Sequence, residues 1–355
     1  MAMTEVRFAT IGTSAICERF LDAVAATEGC RYVACHSRDR ARAERFGAAH
    51  GATRFFDDLG ELARCDEVDA VYVASPNALH APQALPLARA GRHLLVEKAF
   101  ASNETEARPV FEAAREAGVV CLEAMRNLHT PGFANVERLV GELGEVTQAT
   151  FRFGKITSRI RRLEAGERVS QFDPELSEGA LMDMGVYVVE PAVALFGRPR
   201  RVLASAVTRE VPWEAPEGFR TTDLSGAVVL DYGDKLVDLN YSKVADDLLA
   251  SQVAGRRGSL VWTEPGAPAD VTLHLWSDRP MIYGNVDAGE NQVVEADVPE
   301  NDMRCELELF LAAVRGEEDA LRRVATCERV TLDSLAVMDE VRRQVGVRFP
   351  ADRDG

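Results

Sequence analysis

The sequence predicts an α/β domain over residues 1–124, followed by an α+β domain over residues 125–355. Up to residue 124, short apolar runs alternate with segments of helical periodicity, which is typical of a parallel sheet with helices on both faces. Beyond residue 125 the apolar runs are longer and alternate with polar residues, which is typical of antiparallel strands with one wet face. A chain of 355 residues is long enough for two such domains.

The elements of the first domain follow one another as strand, helix and strand. Residues 6–11 form a buried apolar run that ends at Gly12, and Ile16, Phe20 and Val24 then recur at helical spacing. The same reasoning predicts strands at residues 32–35, 70–74, 93–96 and 119–122, and helices at about residues 40–51 and 103–118.

The second domain is predicted to combine an open sheet with flanking helices. Helices are expected at about residues 132–141, 304–314 and 326–345. Strands are expected at residues 146–153, 202–208, 227–231, 235–241, 259–263 and 271–276.

The charge of the chain excludes several kinds of partner. It carries 41 basic and 57 acidic side chains, a formal net charge of −16. Such a chain has no electrostatic attraction to phosphate backbones or to anionic lipid, so we expect neither nucleic acid nor a membrane as partner. No apolar run approaches the length of about 18 residues that suggests a membrane span. The first residues lack the pattern of a signal peptide, so we expect a cytoplasmic protein.

The seven cysteines are scattered along the chain and odd in number. They form neither a CxxC pair nor a Cys/His cluster with zinc spacing. This pattern predicts free thiols in a reducing compartment and no metal site.

A candidate phosphate-binding loop lies between the first strand and its helix. The loop falls where dinucleotide-binding domains carry the fingerprint G-x-G-x-x-G/A. Gly12 permits the tight turn, and the amino terminus of the helix offers free N–H groups to a pyrophosphate. Ser14 stands in place of the second glycine, so a simple strand–helix turn is the alternative. The cofactor-binding residues expected here are Gly12, Thr13, Ser14, Ala15 and Ile16.

The end of the second strand predicts which dinucleotide is bound. An NAD site usually carries a carboxylate here for the ribose 2′-hydroxyl, whereas an NADP site accommodates the 2′-phosphate with arginine. Ser37 and Arg38 fit the phosphate, since a guanidinium makes paired hydrogen bonds to its oxygens. Asp39 keeps the NAD alternative open. We therefore expect NADP(H) as the preferred cofactor and NAD(H) as the alternative.

Polar side chains also follow the later strands of this domain. Ligands of open parallel sheets bind outside the carboxyl ends of the strands. A lysine at a strand end is by itself more often a surface residue, but its register with a phosphate loop favours a functional role. The residues at these ends are Ser75, Pro76, Asn77 and His80, then Glu97 and Lys98, and then Glu123.

In the second domain, residues 177–187 place Asp183 and Tyr187 four positions apart. On a helix this spacing brings both side chains to one face. Gly185 between them would let another backbone approach closely. The alternative is a core helix whose tyrosine only packs.

Five segments, in order and spacing, resemble the Gfo/Idh/MocA family of nicotinamide-dependent oxidoreductases. They are residues 11–16, Ser75-Pro76-Asn77 with His80, Glu97-Lys98-Ala99-Phe100, Glu123-Ala124 ahead of Pro131, and residues 179–187. The resemblance covers nearly the whole chain. It implies a Rossmann dinucleotide-binding domain and an α+β domain with an open, mostly antiparallel sheet. It also implies that the chain forms a homodimer or homotetramer through that sheet.

The resemblance implies roles for individual residues. Lys98 matches the lysine of the family's Glu-Lys-Pro motif, which contacts substrate and nicotinamide, and Asp183 matches the aspartate that holds the substrate. Tyr187 stands where many members carry the catalytic histidine, as in the branch of dihydrodiol and sugar dehydrogenases. Ala99 replaces the motif's proline, but this departure and that of Ser14 remove no reacting group.

The implied reaction transfers hydride between NADP(H), or NAD(H), and the hydroxyl- or carbonyl-bearing carbon of a sugar, polyol or related compound. The proton needs its own acceptor, and a neighbouring ammonium favours a phenolate. We therefore expect Tyr187 to exchange the proton, Lys98 to be its electrostatic partner, and Asp183 to orient Lys98 or the substrate. Candidates for binding a polar or anionic substrate are Arg126, His129 and Arg161.

Two other functions are compatible with this fold. One is a non-catalytic regulator that binds a dinucleotide. The other is a scaffold with a vestigial dinucleotide site, which the departures at Ser14 and Ala99 favour. The joint presence of Lys98, Asp183 and Tyr187 favours the enzyme.

Overall fold

The computed structural model of the protein describes residues 5–264, 266, 268–276, 289 and 291–354. Residues 1–4, on which the expectation about a signal peptide rests in part, lie outside the described residues. The predicted fold class is confirmed, because a parallel sheet is followed by a larger and mostly antiparallel sheet.

The first sheet has six parallel strands in the order β3-β2-β1-β4-β5-β6. The strands are β1 Val6–Ile11, β2 Cys30–His36, β3 Arg54–Phe56, β4 Ala70–Val73, β5 His93–Glu97 and β6 Cys121–Ala124. The helices between them are α1 Ala15–Ala25, α2 Arg40–Ala49, α3 Leu59–Ala63, α4 Asn77–Arg89 and α5 Glu104–Ala117. The strand order reverses beside β1, and open α/β sheets bind their ligands at such a switch point.

Strand β6 begins two residues later than the apolar run predicts. Gly118 ends α5 in the left-handed conformation, and the N–H of Val119 donates to the carbonyl of Ala114. Residue 119 therefore still belongs to the end of the helix. The sequence does not predict β3, because three residues are too few to show a period.

Among the residues that the structure describes, the second sheet has eight strands in the order β14-β13-β12-β11-β7-β10-β9-β8. The strands are β7 Val146–Gly154, β8 Arg201–Glu210, β9 Thr221–Asp231, β10 Leu236–Ser242, β11 Ser251–Gly255, β12 Gly258–Trp262, β13 Asp270–Leu275 and β14 Asn291–Glu295. Neighbouring strands are antiparallel except β7 and β10, which are parallel. The sequence does not predict the short strands β11 and β14.

The helices of this half are α6 Pro131–Val140, α7 Ile160–Glu164, α8 Val186–Phe196, α9 Met303–Val314 and α10 Glu318–Val345. Helix α10 begins at Glu318 rather than at residue 326, because its first turns are charged and mostly exposed and so show no apolar stripe.

The last two helices join the two domains. Helix α9 returns to the first domain, where the ring of Phe310 lies 5.7 Å from that of Phe8 on β1. Helix α10 contacts α5 and β6 of the first domain as well as α8 and β8 of the second. These contacts fix the face of the second domain that meets the carboxyl ends of the parallel strands.

One helical stretch, residues 174–196, is long and apolar enough to cross a membrane by composition alone. In its most apolar window, 78% of the residues are buried inside the protein. Its helix α8 contacts β7, β10 and α10. The structure therefore uses this stretch as a core helix, whose apolar character serves packing.

Candidate active site

The loop between β1 and α1 has the geometry of a phosphate-binding turn. Gly12 has a φ of +118°, and a Cβ at this position would lie 2.6 Å from the carbonyl oxygen of Ala74. The turn and the close approach to the end of β4 therefore both require glycine. Ser14 precedes the first turn of α1 and makes no side-chain cap, so the N–H groups there stay available to an anion. Thr13 lies in the turn, and Ala15 and Ile16 are the first residues of α1.

Just after β2, Asp39 is the N-cap residue of the following helix. Its carboxylate accepts the N–H of Arg42 at 3.1 Å and so caps the amino terminus of α2. Arg42 reaches back to the phosphate loop, where its Nε donates to the hydroxyl of Thr13 at 2.6 Å. Ser37 accepts the N–H of Asp39 at 3.3 Å, and Arg38 is exposed beside it. Arg38 and Arg42 thus lie near the end of β2, while the carboxylate of Asp39 is occupied in capping α2.

After β4, the side chains of Asn77 and His80 make hydrogen bonds to backbone carbonyl groups. The imidazole of His80 is buried and lies 2.9 Å from the carbonyl of Ala99 and 2.7 Å from that of Ser75, so it ties the two neighbouring strand ends together. Asn77, which follows Pro76, donates to the carbonyl of Ser177 at 3.0 Å. This hydrogen bond links the first domain to the segment of the second domain that carries Asp183.

Lys98 and Asp183 meet across the two domains. The Nζ of Lys98 donates to Oδ1 of Asp183 at 2.7 Å and to its backbone carbonyl at 3.1 Å. The second carboxylate oxygen pairs with Lys243 at 2.8 Å. Burial opposes the charged form of Asp183, but the two ammonium groups outweigh it and hold the pKa of Asp183 well below its usual range. Burial likewise opposes the charge on Lys98, yet the neighbouring carboxylate raises the pKa of Lys98 above its ordinary value.

Tyr187 lies against this ion pair. The Nζ of Lys98 is 5.1 Å from the centre of the tyrosine ring. On another side, Nε of Arg126 donates to the tyrosine hydroxyl at 3.3 Å. Arg126 is in turn held by Asp302, which also binds Arg19 of α1. Two cations thus face the tyrosine.

A short π-helix, Leu181–Gly185, positions Asp183 ahead of α8. The carboxylate of Asp223 on β9 accepts the N–H groups of Ala180 and Leu181, at 3.0 Å and 2.7 Å. The wider turn departs from the regular helix that the spacing predicts, and such bulges occur often at functional sites. Gly185 admits side chains rather than a backbone, since a Cβ there would meet the side chains of Leu181 and Tyr241.

Glu178 is a third carboxyl group at the same place. Burial raises the pKa of Glu178 to about 7, against the opposing effects of Lys243 and Lys98. The side chain is only partly buried and accepts the backbone N–H of Asn77. It therefore titrates in the neutral range beside Asp183.

Behind the site, Glu97, Glu123 and Glu190 are buried carboxyl groups. Glu97 accepts the hydroxyl of Tyr72, and burial raises the pKa of Glu97. Glu123 and Glu190 are hydrogen-bonded to each other. Burial raises the pKa of Glu123 to about 6, and burial together with the charge of Glu123 raises that of Glu190 much further.

This pair predicts a pH-dependent stability. Both pKa values are higher in the folded state, so the stability that the pair contributes is complete below the unfolded pKa of about 4.3 and is lost as pH rises through 6. In the variant Glu190→Gln, the side-chain amide is neutral at every pH, and its NH₂ group can still donate a hydrogen bond to Glu123. We expect its Tm to exceed that of the wild type by about 2–4 °C at pH 8 and to match it near pH 4. Thermal unfolding across this range measures the difference, with exposed Glu116→Gln as control. A constant offset at every pH would contradict the expectation.

The three residues expected to bind substrate have different surroundings. His129 is placed next to Arg323 of α10, and burial lowers its pKa to about 3. Arg161 is exposed on the short helix α7. Arg126, by contrast, is in contact with Tyr187.

The sequence did not single out Lys243, Glu178 or Arg42. Lys243 follows a strand of the second sheet, where a lone lysine is normally read as exposed. The one available signal for Glu178 and Arg42 was position, since each lies within a few residues of a predicted site residue. Among the described residues, no group of histidine, cysteine, aspartate and glutamate side chains is arranged to hold a metal ion.

A helix amino terminus open to phosphate, beside a lysine–aspartate pair that faces a tyrosine, defines the class of nicotinamide-dinucleotide oxidoreductases. Residues 6–125 match the model of the GFO_IDH_MocA oxidoreductase family with an NAD-binding Rossmann fold, and residues 137–261 match the family's carboxyl-terminal domain. The chain belongs to this family, and the resemblance seen in the sequence is confirmed.

Similar proteins match nearly the whole chain. The scyllo-inositol 2-dehydrogenase (NADP(+)) IolU of Bacillus subtilis (strain 168) is 34% identical over 98% of this chain and 99% of its own length. The oxidoreductase YgjR of Escherichia coli (strain K12) is 34% identical over 98% of both chains. The crystal structure of KijD10, a 3-ketoreductase from Actinomadura kijaniata, in complex with NADP and TDP-benzene superposes with a TM-score of 0.75. It is 23% identical, over 98% of this chain and 100% of that one, and so supports the fold.

Proposed function

We propose that the protein is an NADP(H)-dependent oxidoreductase that interconverts a hydroxyl and a carbonyl group on a sugar, a polyol or a related small hydroxy compound. The observation that carries this proposal is the contact between Lys98, Asp183 and Tyr187, formed by both domains at the ends of the parallel strands. The family membership supports it, as does the similarity to an NADP(+)-dependent inositol dehydrogenase over nearly the whole chain.

The residues at the first sheet fit a dinucleotide with a 2′-phosphate. The uncapped amino terminus of α1 suits the pyrophosphate, and the exposed Arg38 with Arg42 suits the 2′-phosphate. Asp39, which supported the NAD alternative, is engaged as the cap of α2. When bound, the nicotinamide would supply the hydride acceptor or donor.

The remaining chemistry falls to the protein's own side chains. In the direction of oxidation, Tyr187 takes the proton of the substrate hydroxyl at its phenolic oxygen. In the direction of reduction, it returns that proton. Lys98 and Arg126 stabilise the negative charge that develops on the tyrosine and on the substrate oxygen. Asp183 holds Lys98 in place through two hydrogen bonds. A regulator that only binds a dinucleotide has no need of this arrangement.

The proposal is tested with a panel of inositols, aldoses, polyols and their keto forms, followed at the nicotinamide absorbance band with both cofactors. We expect turnover of at least one polyol or sugar. We also expect kcat/KM for NADP(+) to exceed that for NAD(+) by tenfold or more, about 1.4 kcal/mol. Tight binding of NADPH without turnover of any compound would favour the regulator instead, and failure to bind any dinucleotide would favour the vestigial scaffold.

We also propose that the chain forms a homodimer or homotetramer through the second sheet. Exposed apolar side chains on this sheet support the proposal. Leu203 and Val207 of the edge strand β8, Val293 of the edge strand β14 and Leu236 of the inner strand β10 are each more than half exposed. A monomer of 38.8 kDa in sedimentation equilibrium would contradict it. The seven cysteines are free thiols, which supports a reducing, cytoplasmic location.

A further inference from the structure

Lys243 is a buried lysine that the reaction as described so far does not use. It follows directly after β10, and its side chain is 2% exposed. A lysine is almost never fully buried unless it is paired, because removing an ammonium group from water carries a large desolvation cost. Its partners therefore show what the burial serves.

The partners of Lys243 belong to the site. Its Nζ lies 2.8 Å from Oδ2 of Asp183 and donates to the backbone carbonyl of Gln171 at 2.7 Å. It also lies 4.9 Å from the centre of the Phe172 ring, within the range of a cation–π contact. Asp183 is thus bound from both sides, by Lys98 on Oδ1 and by Lys243 on Oδ2.

This arrangement orients Lys98. Among the described residues, two of the three N–H groups of Lys98 donate to Asp183, so the third remains for a substrate oxygen or for Tyr187. The direction of that third group depends on where the carboxylate lies. Lys243 fixes the carboxylate from the side opposite to Lys98.

The arrangement also sets the charge of the site. The charges of Lys98 and Asp183 alone would cancel, so that Arg126 would be left as the uncompensated cation at Tyr187. With Lys243 the three groups carry a net charge of +1. Two further acids face Lys243, namely Glu178 from the loop before the π-helix and Asp223 from β9, and burial raises the pKa of both. Because burial disfavours the ionised form of both acids, they oppose the positive charge less than exposed carboxylates would.

We propose that Lys243 is a positioning residue of the reaction, which holds Asp183 and offsets its charge so that Lys98 acts on the substrate and on Tyr187. The inference rests on the proposed function. It assigns to Lys243 no contact with substrate or cofactor, since its ammonium group is bonded to Asp183 and Gln171.

The test compares Lys243→Gln, which keeps a hydrogen-bond donor but loses the charge, with Lys243→Arg, which keeps the charge. Lys235→Gln is the matched control, because Lys235 also pairs with an aspartate and lies over aromatic rings, but at the other end of β10. The quantities measured are kcat, KM and their pH profiles in the direction of oxidation, together with NADPH affinity by fluorescence.

For Lys243→Gln we expect kcat to fall by up to about 100-fold, the size of loss that a misplaced reacting group causes. The ascending limb of the pH profile should move to higher pH, because the site loses a positive charge. NADPH affinity should stay within a few-fold of the wild type. Lys243→Arg should restore the profile, and Lys235→Gln should leave it unchanged.

The outcomes separate the inference from the function on which it rests. An active wild type whose pH profile is unchanged in Lys243→Gln overturns the inference and leaves the proposed function standing. A fall in kcat that Lys243→Arg does not relieve also overturns it, since such a fall reflects lost packing. A wild type that is inactive on every substrate overturns both.

Discussion

Replacing Tyr187 with phenylalanine is expected to lower kcat by about 10²- to 10⁴-fold, the usual contribution of a positioned acid or base. The variant keeps the ring, which packs edge-on against Phe153 at 5.4 Å and lies under Lys98. It loses the hydroxyl, which contacts Arg126 and is the proposed site of proton exchange. Substrate KM and NADPH affinity should therefore change little.

The measurement is steady-state turnover on the best substrate of the panel, with NADPH affinity as the check of folding. Lys98→Met should cause a loss of similar size, because it removes the charge that stabilises the phenolate and the substrate oxygen. If both variants turned over at near-normal rates, the assignment of these residues would be wrong. Phe153→Leu serves as the control for altered packing around the ring.

Gly12→Ala is expected to weaken NADPH binding by about 10- to 100-fold, equivalent to about 1–3 kcal/mol. An L side chain at a φ of +118° is strained, and its Cβ would approach the carbonyl oxygen of Ala74 to 2.6 Å. The turn must shift to relieve this contact, and the N–H groups at the start of α1 shift with it. Isothermal titration with NADPH measures the loss of affinity.

Gly91→Ala is the matched control for this variant. Gly91 has a φ of +77°, but no atom lies within 4 Å of the position a Cβ would take. The Gly91→Ala variant should therefore lose about 1–2 kcal/mol of stability from backbone strain and keep its affinity for NADPH. Equal affinity of the two variants would show that the close approach to Ala74 is unimportant for binding.

Much of the fold follows from local patterns. The alternation of apolar runs with helical periods predicted the parallel sheet, because strands that are buried on both faces must be apolar throughout. The exceptions were elements with weak patterns. Strand β3 is too short to show a period, and the first turns of α10 are charged and mostly exposed.

The residues of the candidate site also fall into those that the sequence identified and those that it did not. Gly12, Lys98, Asp183 and Tyr187 were found from the sequence because each stands in a recognisable segment, at a strand end or at helical spacing. Lys243 was not found, because nothing around it in the sequence distinguishes a buried lysine from an exposed one. Its partner Asp183 is 60 residues away in the chain.

The sequence by itself determined the class of fold, and it identified the candidate phosphate-binding loop and the candidate reacting side chains. These depend on short-range backbone geometry and side-chain chemistry. The tertiary structure alone decided which charges meet. It placed Asp183 between Lys98 and Lys243, engaged Asp39 in capping a helix, and placed His129 near Arg323. The physical reason is that electrostatic interactions depend on distance and burial, and both are fixed only when strands distant in the chain pack together.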